Sequence, residues 1–64
     1  MEFSEVLLNF RARYGLTQMQ MARLLEVSPN MVYFYENGKY APTARNKIRF
    51  ETKMKDYEEE KNVL

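Results

Sequence analysis

The side chains available for chemistry in this 64-residue chain are amides, hydroxyls and charged groups, because it contains no Cys and no His. That removes thiolate nucleophiles, disulfides, thiolate metal sites, and the commonest metal ligand and general base. The Asp and Glu residues stand without matched partners or a phosphate-cradling loop, so the chain does not read as an enzyme and no cofactor or metal is expected. What remains suits binding. Between Lys39 and Lys55, six basic residues (Lys39, Arg45, Lys47, Arg49, Lys53 and Lys55) oppose the single acid Glu51, a local charge of +5. Asp56 to Leu64 carries −3, and the whole chain has a formal charge of +1. A basic stretch of this kind is either a solvated helical surface or a stripe facing phosphates, and composition leaves both open.

Such groups need elements to hold them. Phe3, Val6, Leu7, Phe10 and Tyr14 follow the spacing of one buried helical face, predicting a first helix over about residues 5 to 14. Ser4 is its expected N-cap, Glu5 lies near the positive end of its dipole, Phe3 is expected to staple onto Leu8, and Gly15 tolerates a left-handed stop. Thr17-Gln18-Met19-Gln20 fits a capping box and Leu16 and Met21 a staple, so a second helix runs to about Leu25 with Met21, Ala22 and Leu25 inward. Ser28-Pro29 is a further start signal, a cap followed by the residue whose missing N–H is harmless at the first helical position. The third helix is expected to stop at Asn37-Gly38, and Pro42-Thr43 marks a fourth start. The fourth helix has a less regular face: Ala44, Ile48 and Phe50, an interruption at Lys47 and Glu51, then Met54 and Tyr57.

Two short helices joined by a tight turn form a known supersecondary unit, and spacing alone does not assign it a role. The residues carry more. Arg11, Gly15-Leu16-Thr17-Gln18, Met21-Ala22, Leu25, Val27-Ser28, Val32, Tyr35-Glu36-Asn37-Gly38-Lys39 and Pro42 together resemble the Cro and phage-repressor type of helix-turn-helix family over about residues 5 to 50. The resemblance implies an all-α fold, a compact four- or five-helix lambda-repressor-like domain, and a transcriptional regulator, a repressor by expectation, that lays helix 3 in the major groove of an operator.

With about 100° per residue and Val32 set inward, Tyr35 and Glu36 share the inner side of helix 3, while Asn30, Phe34 and Asn37 point away, flanked by Tyr33 and Met31. In the family that outer face reads bases. Asn30 would pair with adenine N6 and N7 or reach another base edge. Phe34 and Met31 would lie against thymine methyls, and Tyr33 would do the same or donate to a phosphate. The family's phosphate-contact positions correspond here to Gln18, Asn37, Lys39 and Tyr40, with Arg45 and Lys47 as additions. The Gln18 amide is also expected to buttress the start of helix 3. Arg11 and Glu36 resemble a partly buried pair that joins helix 1 to helix 3.

Two positions depart from the family. Glu26 stands where Gly is usual, at a turn position that often needs positive φ, where a Cβ costs on the order of 1 kcal/mol. Pro29 replaces a base-contacting Gln or Arg. The reading face contains no Lys or Arg and is rich in apolar groups, so a protein partner binding through Tyr33 and Phe34 is the competing function.

Residues 1–55 form the expected module and 56–64 an acidic helix end or tail. A chain this short buries only about 60% of its unfolded surface. The resemblance implies a homodimer on a two-fold operator, since a lone module would read too few bases. Phe50, Met54, Tyr57, Lys61 and Leu64 either form a coiled-coil seam or pack on their own domain. With no secretory or membrane-spanning pattern, the expected address is cytoplasmic.

Overall fold

The computed structural model describes residues 2–62. Four helices follow in order: α1 (Phe3–Tyr14), α2 (Gln18–Leu25), α3 (Pro29–Glu36) and α4 (Ala44–Asn62), with no strand among the described residues. The start signals at three of them act as expected. Thr17 and Gln20 complete the capping box, the Gln20 N–H donating to Thr17 Oγ1 at 3.1 Å and the Thr17 N–H to Gln20 Oε1 at 2.9 Å. Ser28 Oγ accepts from the Met31 N–H at 3.3 Å with Pro29 at the first helical position, and Thr43 Oγ1 accepts from the Asn46 N–H at 3.2 Å.

The first start differs. Helix α1 begins at Phe3 with Glu2 before it and no side-chain cap, so Ser4 is a helical residue and not the N-cap. Phe3 is thereby already on the helix. It points inward with Leu7, one turn on, and the expected Phe3–Leu8 staple does not form; Leu8 is exposed. Terminal contacts to Tyr35 and Phe50, distant in sequence, hold this end of α1 in place of a local cap.

Helices α1, α2 and α3 end in the same way. Gly15 (φ 64°), Glu26 (φ 60°) and Gly38 (φ 74°) are left-handed, and after each the next N–H reaches back five residues: Leu16 to Arg11 (2.9 Å), Val27 to Ala22 (2.9 Å) and Lys39 to Phe34 (3.0 Å). Each closure satisfies carbonyls that a helix end leaves free, and it reverses the chain within a few residues. Glu26 adopts the conformation its position demands despite carrying a Cβ. Its carboxylate pairs with Lys53 of α4, tying the turn between α2 and α3 to the fourth helix.

That pair gives a pH prediction. The hydrogen bond from Lys53, then its charge, hold the Glu26 carboxyl below the ordinary value of 4.5, with Arg49 contributing less. A lowered folded-state pKa supplies stability that is present above the unfolded value and lost as pH falls through the folded one. Stability is therefore expected to decline in acid below that ordinary value, and Glu26→Gln to flatten the decline. Urea midpoints for both proteins in neutral and acidic buffer check this; parallel losses would refute it.

The core draws on all four helices: Phe3, Leu7 and Phe10; Met21, Ala22 and Leu25; Val32 and Tyr35; Phe50 and Met54. Two ring clusters bind α4 to the rest. Phe3, Tyr35 and Phe50 meet with centroids 5.6–6.0 Å apart, joining α1, α3 and α4. Phe10, Tyr14 and Tyr57 meet at 4.8–5.8 Å, joining the end of α1 to the far half of α4. Phe50, Met54 and Tyr57 are thus turned into their own domain and do not form a seam for a second copy; Lys61 is exposed, and Leu64 lies outside the described residues. Helix α4 continues through the acidic residues to Asn62. Ala44 and Ile48, expected on its apolar face, are exposed, because the buried side is fixed by Phe50 and Met54 and those positions fall outside it.

Candidate nucleic-acid interface

Helices α2 and α3 are separated only by Glu26, Val27 and Ser28. Val32 and Tyr35 anchor α3 to the core, and Leu25 and Ala22 back it from α2. With those residues inward, Pro29, Asn30, Tyr33 and Asn37 are exposed along the outer side. Asn30 is positioned by the Ser28 cap and by Pro29, the first helical residue, immediately before it. Its amide has both donor and acceptor capacity and is free of α3's own backbone ladder. Tyr33 is 52% exposed. Met31, expected to flank the outer face, packs partly against the core and presents only its edge, since it lies one turn before the inward Tyr35.

Phe34 also differs from the simple wheel. It lies opposite Val32 as expected, yet is half-buried, because the segment after Gly38 folds back over it. Tyr33 and Tyr40 both stand edge-on to its ring, at 5.9 and 5.3 Å, and the Lys39 ammonium lies 4.6 Å from its centroid. Phe34, Lys39 and Tyr40 thus form one cluster at the end of α3, in which Lys39 and Tyr40 remain exposed. Sequence reasoning put all three at the candidate site but missed that they touch. The available signal was the Gly38-Lys39 closure, which in helices ended this way brings the second residue after the stop onto the last turn.

A partly buried ionic network sets the other edge. Arg11 grips the Glu36 carboxylate with two nitrogens, Nε to Oε2 at 2.7 Å and a terminal nitrogen to Oε1 at 3.1 Å, and donates a third bond to the Leu16 carbonyl at 3.2 Å. The Glu36 side chain is 5% exposed and that of Arg11 26%. Gln18 Nε2 adds a bond to Glu36 Oε1 at 3.0 Å. Gln18 therefore braces the C-terminal end of α3, not its start as expected; Glu36 is the acceptor within reach of the first residue of α2. One carboxylate so links α1, α2 and α3 and fixes the angle of the outward face.

The basic residues divide. Lys53 is committed to Glu26, and Arg49 stacks 5.2 Å from the Phe50 ring. Arg45 and Lys47 are exposed at the start of α4, with Lys47 beside a groove of about 400 Å³ that also takes in Tyr35, Gly38, Tyr40 and Pro42. Lys39, Arg45, Lys47 and Arg49 are all exposed, and of the α4 cations Lys47 lies in the groove beside Gly38 and Tyr40. Among the described residues no His, Cys, Asp and Glu side chains cluster as a metal site would require, and no helix is long and apolar enough to cross a membrane.

Comparison with known proteins matches a helix-turn-helix family model to residues 7–50, the span from Leu7 through both short helices to Phe50. A protein of Archaeoglobus fulgidus, named an uncharacterized HTH-type transcriptional regulator, is 44% identical over 36 residues, covering 56% of this chain and 51% of its own length. The chain spans about half the length of that relative. Comparison with solved structures gives no match.

Proposed function

The chain belongs to the helix-turn-helix family, and from that membership we propose that it is a sequence-specific DNA-binding transcriptional regulator, a repressor, whose α3 enters the major groove. The observation that carries this reading is the exposed outer side of α3, with Asn30 and Tyr33 held between a fixed start at Ser28-Pro29 and a cation-bearing end at Lys39. Asn30 reads a base edge by paired hydrogen bonds. Tyr33 lies against a thymine methyl or a phosphate, with Met31 contributing its edge. Asn37, Lys39 and Tyr40 contact the backbone on one side of the groove and Gln18, at the N-terminus of α2, on the other, with Arg45 and Lys47 extending the phosphate footprint. One module presents few base-reading groups, so two copies act together on half-sites about 34–36 Å apart. The named function of the A. fulgidus relative supports the same class of activity.

Selection from a random duplex pool tests the reading. Wild type is expected to enrich a short motif at low salt. Asn30→Ala is expected to relax preference at one base pair, with a loss of about 1–3 kcal/mol on the best site. Lys39→Ala is expected to weaken all duplexes alike. Identical motifs from wild type and Asn30→Ala would remove Asn30 from the reading set. Failure to enrich any motif, together with specific capture of a protein by the exposed Tyr33 ring, would favour the protein-interaction alternative.

A further inference from the structure

Lys39 and Phe34 are joined twice. Gly38, at φ 74°, turns the chain back over the last turn of α3, so that the Lys39 N–H donates to the Phe34 carbonyl at 3.0 Å and the Gly38 N–H to the Tyr35 carbonyl at 3.2 Å. Helices closed in this way frequently carry an apolar contact between the same two residues that share the longer bond. Here a cation takes that place. Lys39 Nζ lies 4.6 Å from the Phe34 centroid and 5.7 Å from that of Tyr40, whose ring is perpendicular to Phe34 at 88°. Tyr33 closes on Phe34 from its own helix at 5.9 Å. An ammonium held over a ring keeps its charge and its remaining hydrogens toward solvent, and it has fewer rotamers to lose on meeting an anion.

Resting on the DNA reading above, we infer that Phe34 is a positioning residue and not a base contact. Its ring, with Tyr40, holds the Lys39 ammonium ready for a phosphate of the duplex, and Phe34 acts on affinity through Lys39. Phosphate contacts set register without reading sequence. Loss of the ring therefore lowers affinity on every duplex and leaves the preferred motif unchanged.

A double-substitution cycle of Phe34→Leu and Lys39→Ala tests this, read by fluorescence anisotropy on the selected duplex and on a scrambled one across a salt series. Phe34→Leu is expected to weaken both duplexes by about two- to fivefold, the range of an exposed cation–π contact. Lys39→Ala lowers the salt slope by about one. In the Lys39→Ala background, Phe34→Leu changes affinity by less than about 1.5-fold, because the cation it positions is gone. Phe34→Tyr keeps the ring and binds as wild type. Should Phe34→Leu fail to fold, Tyr40→Ala replaces it in the cycle beside Tyr40→Phe, which keeps the ring and removes only the hydroxyl: the loss of Tyr40→Ala beyond that of Tyr40→Phe is expected to vanish in the Lys39→Ala background, and its persistence there overturns the inference. Additive losses, or a Phe34→Leu effect confined to one base pair, overturn the inference and leave DNA binding standing. Wild type that retains no duplex overturns the DNA reading and the inference with it. Without DNA, the Lys39 side-chain protons are expected upfield from ring currents in wild type and not in Phe34→Leu. Ordinary shifts in wild type overturn the cradle itself.

Discussion

Phe50→Ala is expected to lower the stability of the domain by about 3–5 kcal/mol. Phe50 is 0% exposed and meets Phe3 and Tyr35, so its ring is one of the two aromatic contacts that close α4 over α1, and the one that also reaches α3. Removing a buried Phe side chain costs about 3–5 kcal/mol, the transfer of the ring plus the cavity left behind. At about 0.05–0.15 kcal/mol per residue, a 64-residue domain has in total roughly 3–10 kcal/mol. The loss is thus from about a third to the whole of that stability. Phe50→Leu, which refills much of the space, is expected to fold. Helical circular dichroism at 222 nm against temperature reads both. Near-wild-type melting of Phe50→Ala would show that α4 is held mainly by the second ring cluster around Tyr57. Because Tyr35 lies on the inner side of α3, the same substitution also frees the helix proposed to read DNA.

Arg11→Ala is the second large effect. The pair does not add much net stability, since desolvation offsets most of its attraction, but deleting one partner leaves a carboxylate 5% exposed with only the Gln18 amide beside it. A loss of about 3 kcal/mol is expected. At about 4–8 °C per kcal/mol for a domain of this size, Tm falls by more than about 10 °C. Replacing both partners, Arg11→Met with Glu36→Leu, is expected to recover most of the loss, because no uncompensated charge then remains. A double variant as unstable as the sum of its single variants would contradict this. The double variant should still bind DNA less well, since Glu36 also fixes α2 against α3 through Gln18.

What was legible in the sequence was mostly local. Thr17-Gln20, Ser28-Pro29 and Thr43 are short-range capping signals, and each begins a helix where its chemistry requires. The inward faces of α1 and α2 follow from periodicity alone. The Arg11–Glu36 contact spans 25 residues and was legible only through family resemblance. Errors arose where distant residues decide. Ser4 looks like a cap, yet α1 extends past it because Phe3 finds Tyr35 and Phe50. Ile48 looks like core, yet Phe50 and Met54 set which side of α4 is buried. The wheel put Phe34 outward but could not reveal that Lys39 and Tyr40 cover it, which depends on the direction the chain takes at Gly38. Gln18 braces the end of α3 for the same reason: its partner is chosen by the packing of two helices.

The most direct test of α3 as the reading element is an amide chemical-shift titration of the labelled protein with the selected duplex. The largest changes are expected at Gln18, from Asn30 to Phe34, and from Asn37 to Tyr40, weakening as salt is raised, with the exposed far end of α4 around Glu59 and Glu60 unaffected. Changes confined to the far end of α4, or none at saturating duplex in low salt, would contradict recognition of DNA by this helix.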